Sequence, residues 1–369
     1  MGIGLARPMI VHLLLTGLSG FFFFLSFPDK PAPLLAFACL APLGIALNSA
    51  NARSGLLYGF LYGLLMWLAA IWWLSNSLYL YVELSWAAAW VWTFVGCAVS
   101  AIPYAAFGLC CGLFKWMDRP FGPLRYAACL TVFVAWYPYL FPGHHAHSFY
   151  KFPLVIQVLD LGGVPLLLFV VNMVNFLIAG AIVSLLNRKN PLLRLITIAL
   201  LVGLIAGYGL YRLDELQREM DANGTDQTIR IVSIQPNFTI RRAGVPVVFG
   251  NNKKVNNIDT VLALSNQAVK RHTEAQLFVL PELPSSMSCD PDSGMWPEVR
   301  SLAIKSGIPF LVNCSEYDPS AGGDYNIAQL ILNSGAFGPT YRKRILFAFG
   351  EYLPLEKEFP WMRKLFPSA

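Results

Sequence analysis

The sequence predicts a polytopic α-helical membrane bundle of about seven spans, followed by an exported α/β domain. Three observations carry that prediction. Of the 369 residues, 56% are hydrophobic and only 13% charged, with a mean hydropathy of +0.53; an ordinary soluble domain is roughly 25% charged. Charge is also uneven: residues 1–212 hold 11 Lys and Arg against 4 Asp and Glu, whereas 213–369 hold 16 against 17. The net charge of +6 therefore resides in the apolar half, which speaks for membrane orientation and against nucleic acid as a partner. Past residue 212 the pattern turns to short strands alternating with helical stretches, the mark of a layered α/β domain. A single soluble globule is excluded, and the chain divides into a bundle (1–212), a linker (213–228) and an exported portion (229–369).

A spanning helix needs about 20 mostly apolar residues. Seven such runs are predicted: Pro8–Phe27, Leu34–Ala50, Gly55–Leu74, Ser85–Phe114, Leu124–Leu140, Val164–Leu186 and Leu192–Tyr211. The fourth contains Pro103 and reads either as one long tilted span or as two short ones. With seven spans, Arg7, Arg53, Lys115, Arg119, Arg125, Arg188, Lys189 and Arg194 fall on one side and only Lys30 and Lys151 on the other. By the positive-inside rule the N-terminus is then cytoplasmic and the domain after Tyr211 is extracytoplasmic. No small-residue cleavage pattern follows Pro8–Phe27, so that run reads as an uncleaved helix.

In the bundle, Trp67, Trp72, Trp73, Trp86, Trp90 and Trp92 cluster about the outer loop containing Glu83. An aromatic belt and a lipid-facing entrance both fit this pattern. His144, His145 and His147 lie in the next outer loop without a neighbouring Asp, Glu or Cys to complete a metal's ligand set, so a polar surface loop is the expectation and no metal is predicted. Five of the seven cysteines, Cys39, Cys97, Cys110, Cys111 and Cys129, fall in or against spans and act as small apolar residues. Only Cys289 and Cys314 are exported, where an oxidising compartment permits a disulfide.

The exported portion begins with a polar helical linker, Asp214–Asp221. Strands are expected at Ile229–Ile234, Leu277–Leu280, Pro309–Asn313, Asn326–Asn333 and Thr340–Leu346, and helices at Val255–Thr273 and Trp296–Ser306. The turn Ser334-Gly335-Ala336 joins the last two strands. Two constellations bear chemistry. In Leu280-Pro281-Glu282-Leu283-Pro284 a carboxylate follows a buried strand between two prolines, a stiff mounting for a general base, although an exposed loop glutamate fits the spacing equally well. In Tyr341-Arg342-Lys343-Arg344 a basic triplet reads either as a solvated face or as a lysine set near a carboxylate to stabilise an oxyanion.

Taken in order, Gln235-Pro236-Asn237, Pro281-Glu282, Tyr325-Asn326 and Tyr341-x-Lys343…Phe349-Gly350-Glu351-Tyr352-x-Pro354, placed after a multispan bundle, resemble bacterial apolipoprotein N-acyltransferases. These are membrane-anchored members of the carbon–nitrogen hydrolase (nitrilase) superfamily. The resemblance implies an αββα sandwich and a Glu–Lys–Cys triad. Glu282 would be the base and Lys343 the oxyanion partner, with Glu351 an accessory carboxylate. The family has proline where Ala348 stands, and Gly-Phe-Pro-Trp where this chain has Leu140-Phe141-Pro142-Gly143.

The implied reaction moves an acyl chain from a membrane phospholipid to a cysteine thioester, and then to the amine of a diacylglyceryl-modified lipoprotein. It uses no cofactor. The family's nucleophile follows the lysine by several tens of residues, whereas these 369 residues hold no cysteine after Cys314. Cys314 precedes both Tyr325-Asn326 and Lys343, the wrong order for that role. The sandwich therefore looks incomplete and no nucleophile is expected in this chain, which reads as an amino-terminal portion or as one half of a split enzyme with a separately encoded C-terminal part. The rival reading is a non-catalytic lipid-binding or assembly module. A nitrilase-like amidase for small nitrogen compounds gives no reason for seven spans.

Overall fold

The computed structural model describes residues 3–28, 30–80, 82–115, 119, 121–141, 143–223, 228–237, 248–249, 253–254, 257–282, 288–292, 294–318, 323–346, 348, 351–354 and 356–365. Two compact units emerge, one of Met1–Tyr79 with Leu84–Ala222, the other of Leu80–Glu83 with Asn223–Ala369. The first is helical: α1 (Ile3–Ser26), α2 (Ala41–Asn48), α3 (Ala52–Ile71), α4 (Leu74–Leu80), α5 (Trp86–Ser100), α6 (Ile102–Phe114), α7 (Gly122–Trp136), α8 (Pro153–Ile156), α9 (Leu159–Leu186) and α10 (Leu192–Asn223).

Among the described residues, five helical stretches are long and apolar enough to cross a membrane: Met9–Ser26, Ala52–Ile71, Trp86–Phe114, Leu159–Leu186 and Leu192–Ala222. The fourth predicted span is thus one continuous run. Ala101 keeps helical backbone (φ −80°, ψ −13°) between α5 and α6, and Pro103 sits in the first turn of α6, where its missing N–H costs little. In α9 the helix is interrupted at Gly162 and Gly163, the latter at φ 63° and ψ −166°, a region open essentially to glycine alone. Its uninterrupted part begins where the apolar pattern placed it. The polar stretch 214–221 is not a separate linker helix but the end of α10, where Arg212 binds Asp160 and Glu215.

The second predicted span differs most. It is broken into a 3-10 turn, Pro33–Phe37, and α2, which leaves backbone groups without helical partners. Buried Asn175 of α9 meets two of them: Oδ1 accepts from Leu40 N–H at 2.7 Å, and Nδ2 donates to the Ala36 carbonyl at 2.7 Å. Ser19 Oγ accepts from Leu43 N–H at 2.8 Å. In an apolar bundle a broken helix persists only where side chains re-satisfy the backbone in this way.

Helices α3 and α6 approach backbone to backbone: Gly55 and Gly59 of α3 lie against Gly108 and Tyr104 of α6, and Gly112 lies against Asn51 and Ala52 at the start of α3. A Cβ built at Gly59 would lie 2.1 Å from the Tyr104 carbonyl oxygen, and one at Gly108 would lie 2.0 Å from that of Gly55. This is the small-residue packing that membrane helices favour, since lipid offers no hydrophobic drive to bring them together.

Two bundle expectations are corrected. The histidine loop is not a polar surface loop: His145, Ser148 and Phe149 are buried, and Tyr62 Oη lies 2.5 Å from His145 Nε2. The apolar surroundings of Phe23 and Tyr104, both packed edge-on to the His145 ring, draw the loop inward. No group of three metal-ligating side chains occurs among the described residues. Trp67 is not part of an interfacial belt either; it is 1% exposed and packs on Tyr139, whereas Trp72, Trp73, Trp86 and Trp92 are exposed.

The second unit holds strands β1 (Ile231–Ser233), β2 (Val248–Phe249), β3 (Lys253–Lys254), β4 (Leu277–Val279), β5 (Phe310–Asp318), β6 (Gly323–Ile331) and β7 (Phe337–Arg342), with helices α11 (Asn257–Arg271), α12 (Trp296–Ser306) and α13 (Met362–Leu365). Strands β2 and β3 pair with each other. The other five form one mixed sheet in the order β1-β4-β5-β6-β7, parallel from β1 to β5 and antiparallel from β5 to β7.

One face of that sheet is the core. Phe278, Phe310, Val312, Cys314, Ile327 and Ile331 are buried there with Val261 of α11 and Trp296, Val299, Leu302 and Ala303 of α12. Helix α12 occupies its predicted span and carries its own punctuation: Pro297 and Glu298 in the first turn, Lys305 in the last, and Gly307 at φ 69° beyond it. The opposite face carries Asn313 and Ser315 of β5 and Asn326 and Ala328 of β6, because successive strand residues alternate sides.

Candidate functional site

Four strands or strand ends bring the candidate residues together. Glu282 lies just past β4, Asn313 is on β5, Asn326 on β6, and Lys343 follows β7, where its N–H donates to the Asn326 carbonyl at 2.9 Å. Register fixes the rest. Asn313 pairs with Ala328 and Ser315 with Asn326, so Asn313 and Asn326 are diagonal neighbours on one face. Arg342 points to the other face, where it stacks on Tyr325 and binds Glu316 at 2.6 Å.

The cluster is dense in charge. Lys343 Nζ donates to Glu351 Oε1 at 2.8 Å and stands 3.8 Å from Glu282 Oε1. Asn326 Nδ2 donates to Glu282 Oε1 at 2.8 Å and to Glu351 Oε1 at 2.7 Å. Its Oδ1 accepts from Asn313 Nδ2 at 2.6 Å, and Asn313 Nδ2 also donates to the Ile327 carbonyl at 3.2 Å. Exposure separates the two carboxylates: the Glu282 side chain is 65% exposed and that of Glu351 21%.

The pKa of Lys343 is raised above its ordinary value, first by the hydrogen bond to Glu351 and then by the charges of Glu282 and Glu351, against a partial loss of hydration. It therefore holds its proton at neutral pH. That suits it to stabilise negative charge and unsuits it to act as a base.

The structure thus brings Glu282, Lys343 and Glu351 into one cluster and adds Asn326 and Asn313, to which sequence reasoning assigned no role. The signal for Asn313 was a lone amide in the otherwise apolar strand Phe310-Leu311-Val312-Asn313-Cys314. Leu283, Pro284, Phe347, Phe349 and Gly350 of the quoted motifs lie outside the described residues, as does Pro142. At the end of β1, Asn237 of Gln235-Pro236-Asn237 takes left-handed backbone, φ 52°.

Cys314 is no free thiol. It is bonded to Cys289, which ties the chain after Glu282 to β5, and that tie is reinforced by Cys289 N–H donating to the Ser315 carbonyl at 2.9 Å. The five free cysteines, Cys39, Cys97, Cys110, Cys111 and Cys129, all belong to the helical unit.

Apolar helices of membrane-crossing length, followed in sequence by an α/β unit with a lysine–carboxylate cluster at the end of a mixed sheet, define a class of protein compatible with a membrane and equipped with ionised groups for polar chemistry. Residues 19–177 match the family model described as apolipoprotein N-acyltransferase N-terminal domain, so this helical region is similar to that family's N-terminal domain. The match ends before the lysine–carboxylate cluster. Comparison with curated proteins returns no match.

Proposed function

We propose that the chain serves apolipoprotein N-acyl transfer, with Glu282 as general base, Lys343 as oxyanion partner and Glu351 as the carboxylate that holds Lys343 in place. The observation that carries this reading is the 2.8 Å bond from Lys343 to Glu351 beside an exposed Glu282: one carboxylate neutralises the lysine and leaves the other free to move protons.

In the first half-reaction Glu282 takes a thiol proton and the thiolate attacks the ester carbonyl of a phospholipid. Lys343 faces the developing oxyanion. The tetrahedral adduct collapses, and the lysophospholipid alkoxide leaves with the proton held by Glu282. In the second, the α-amine of a diacylglyceryl-cysteine attacks the thioester, Glu282 receives the amine proton, and the thiol departs reprotonated. The bundle, with about seven spans and a cytoplasmic N-terminus, keeps the exported nitrilase-like portion at the outer leaflet of the inner membrane, where both lipid substrates reside. The proposed organisation is a bundle over 1–212, a linker over 213–228 whose first part is the polar end of α10, and the catalytic portion from 229.

On this reading the nucleophile is the cysteine that, as the resemblance implies, follows the lysine strand in the family; Cys289 and Cys314 are joined in a disulfide. The test reconstitutes the chain in vesicles containing an acyl-labelled phospholipid, alone and together with the segment that follows the lysine strand in a full-length family member. The expected result is a hydroxylamine-sensitive acyl adduct on the added segment only, and none on the chain by itself. An adduct on this chain would overturn the placement of the nucleophile. No adduct under either condition would favour the non-catalytic module.

A further inference from the structure

We infer that Asn313 is a positioning residue: it acts through Asn326 to hold the Glu282 and Glu351 carboxylates on one lysine. Its catalytic meaning rests on the reading above, whereas its effect on geometry does not.

Two carboxylates that share a single cation repel each other, and the more exposed one, Glu282, is free to swing into water. Asn326 opposes this by giving both hydrogens of Nδ2, one to each carboxylate. An amide can equally present its oxygen, and in that orientation Oδ1 would face two anionic oxygens and drive Glu282 away. The orientation therefore needs an external reference, which is the backbone carbonyl of Ile327, a group that can only accept. It holds one hydrogen of Asn313 Nδ2 at 3.2 Å. The other hydrogen of that nitrogen goes to Asn326 Oδ1 at 2.6 Å. With Oδ1 occupied, Asn326 can turn only its nitrogen toward the carboxylates. The relay runs from Ile327 through Asn313 and Asn326 to the two acids, and every donor hydrogen in it has an acceptor. The Cys289–Cys314 disulfide and the β5–β6 ladder fix the strand that carries Asn313.

The substitution Asn313→Asp keeps size and shape but replaces the donor by an acceptor, so Asn326 must turn its nitrogen back toward residue 313. Zero-length carbodiimide coupling with peptide mapping reads the outcome on the full chain in detergent. In the unsubstituted chain both Glu282 and Glu351 couple to Lys343. In Asn313→Asp the Glu282–Lys343 product falls roughly tenfold relative to the Glu351–Lys343 product, the loss expected when a charge-assisted hydrogen bond is removed. Asn313→Gln, which retains the donor, restores part of it. Retention of the Cys289–Cys314 disulfide in each variant shows that β5 is still folded. If Asn313→Asp loses that disulfide, Asn313→Leu, which removes the donor without adding charge, takes its place with the same expected direction. An unchanged ratio of the two products in a folded variant would overturn the relay, as would absence of the Glu282–Lys343 product from the unsubstituted chain. Failure of acyl transfer with an intact coupling ratio would count against the acyltransferase reading alone.

Discussion

The Lys343 ammonium donates to Glu351 Oε1 at 2.8 Å and stands a full ångström farther, 3.8 Å, from Glu282 Oε1. Glu351 is thus the lysine's closer partner, and Glu282 is held instead by Asn326 Nδ2 at 2.8 Å. Glu351→Gln removes the larger cause of the raised lysine pKa and lowers it. The folded-state pKa lies above the unfolded value of about 10.4, so the pair's stabilisation is fully present below that value and is lost as pH rises through the folded one. In Glu351→Gln that stabilisation is absent throughout. Acylation of Lys343 by an amine-selective reagent, followed by peptide mapping across pH 8–11, is expected to run several-fold faster in the variant.

Asn175 closes the break in the second apolar stretch by serving both Leu40 N–H and the Ala36 carbonyl. Asn175→Leu removes the side-chain acceptor of Leu40 N–H, at a cost of about 1–3 kcal/mol, and leaves the Ala36 carbonyl with the weaker Cys39 thiol as donor. Thermal unfolding of the detergent-solubilised protein is expected to shift down by several degrees.

Gly59→Ala forces a Cβ against the Tyr104 carbonyl and separates α3 from α6. The expected cost is about 1–3 kcal/mol, as for other overpacked interfaces. Gly96→Ala, at a helical position with open space around it, is expected to be neutral or to gain up to about 1 kcal/mol. Unfolding of the two variants side by side separates close approach from helix propensity.

Much of the fold was legible, because hydropathy and strand alternation report burial directly. Trp296–Ser306 carries its own start and stop residues and was placed without error. The break in Pro33–Asn48 was not legible, since the side chain that permits it, Asn175, is 135 residues from the backbone group it caps. His145 read as polar because composition cannot show that Tyr62 waits 83 residues upstream. Of the seven predicted spans, five are helices of membrane-crossing length among the described residues; the other two correspond to the interrupted second stretch and to α7, which has 15 residues. At the site, Glu282, Lys343 and Glu351 were named from their motifs, and the structure brings the three side chains together. Asn313 was missed because its role follows from a diagonal register between β5 and β6, which no local spacing encodes.

Cys289 and Cys314 close a loop of 25 residues, and opening it costs about 2–4 kcal/mol. Reductant is expected to lower the unfolding midpoint of the α/β unit, and Cys289→Ser is expected to remove that sensitivity. Maleimide labelling under non-denaturing oxidising conditions is expected to leave both residues unmodified.

The most direct test of the central proposal is the rate of acyl-thioester formation in vesicles holding the chain and a cysteine-bearing family segment, measured with labelled phospholipid for the unsubstituted chain and for Glu282→Gln. Loss of a general base predicts a fall of about 10²–10⁴-fold. An unchanged rate in Glu282→Gln would contradict the assignment of Glu282 as the base.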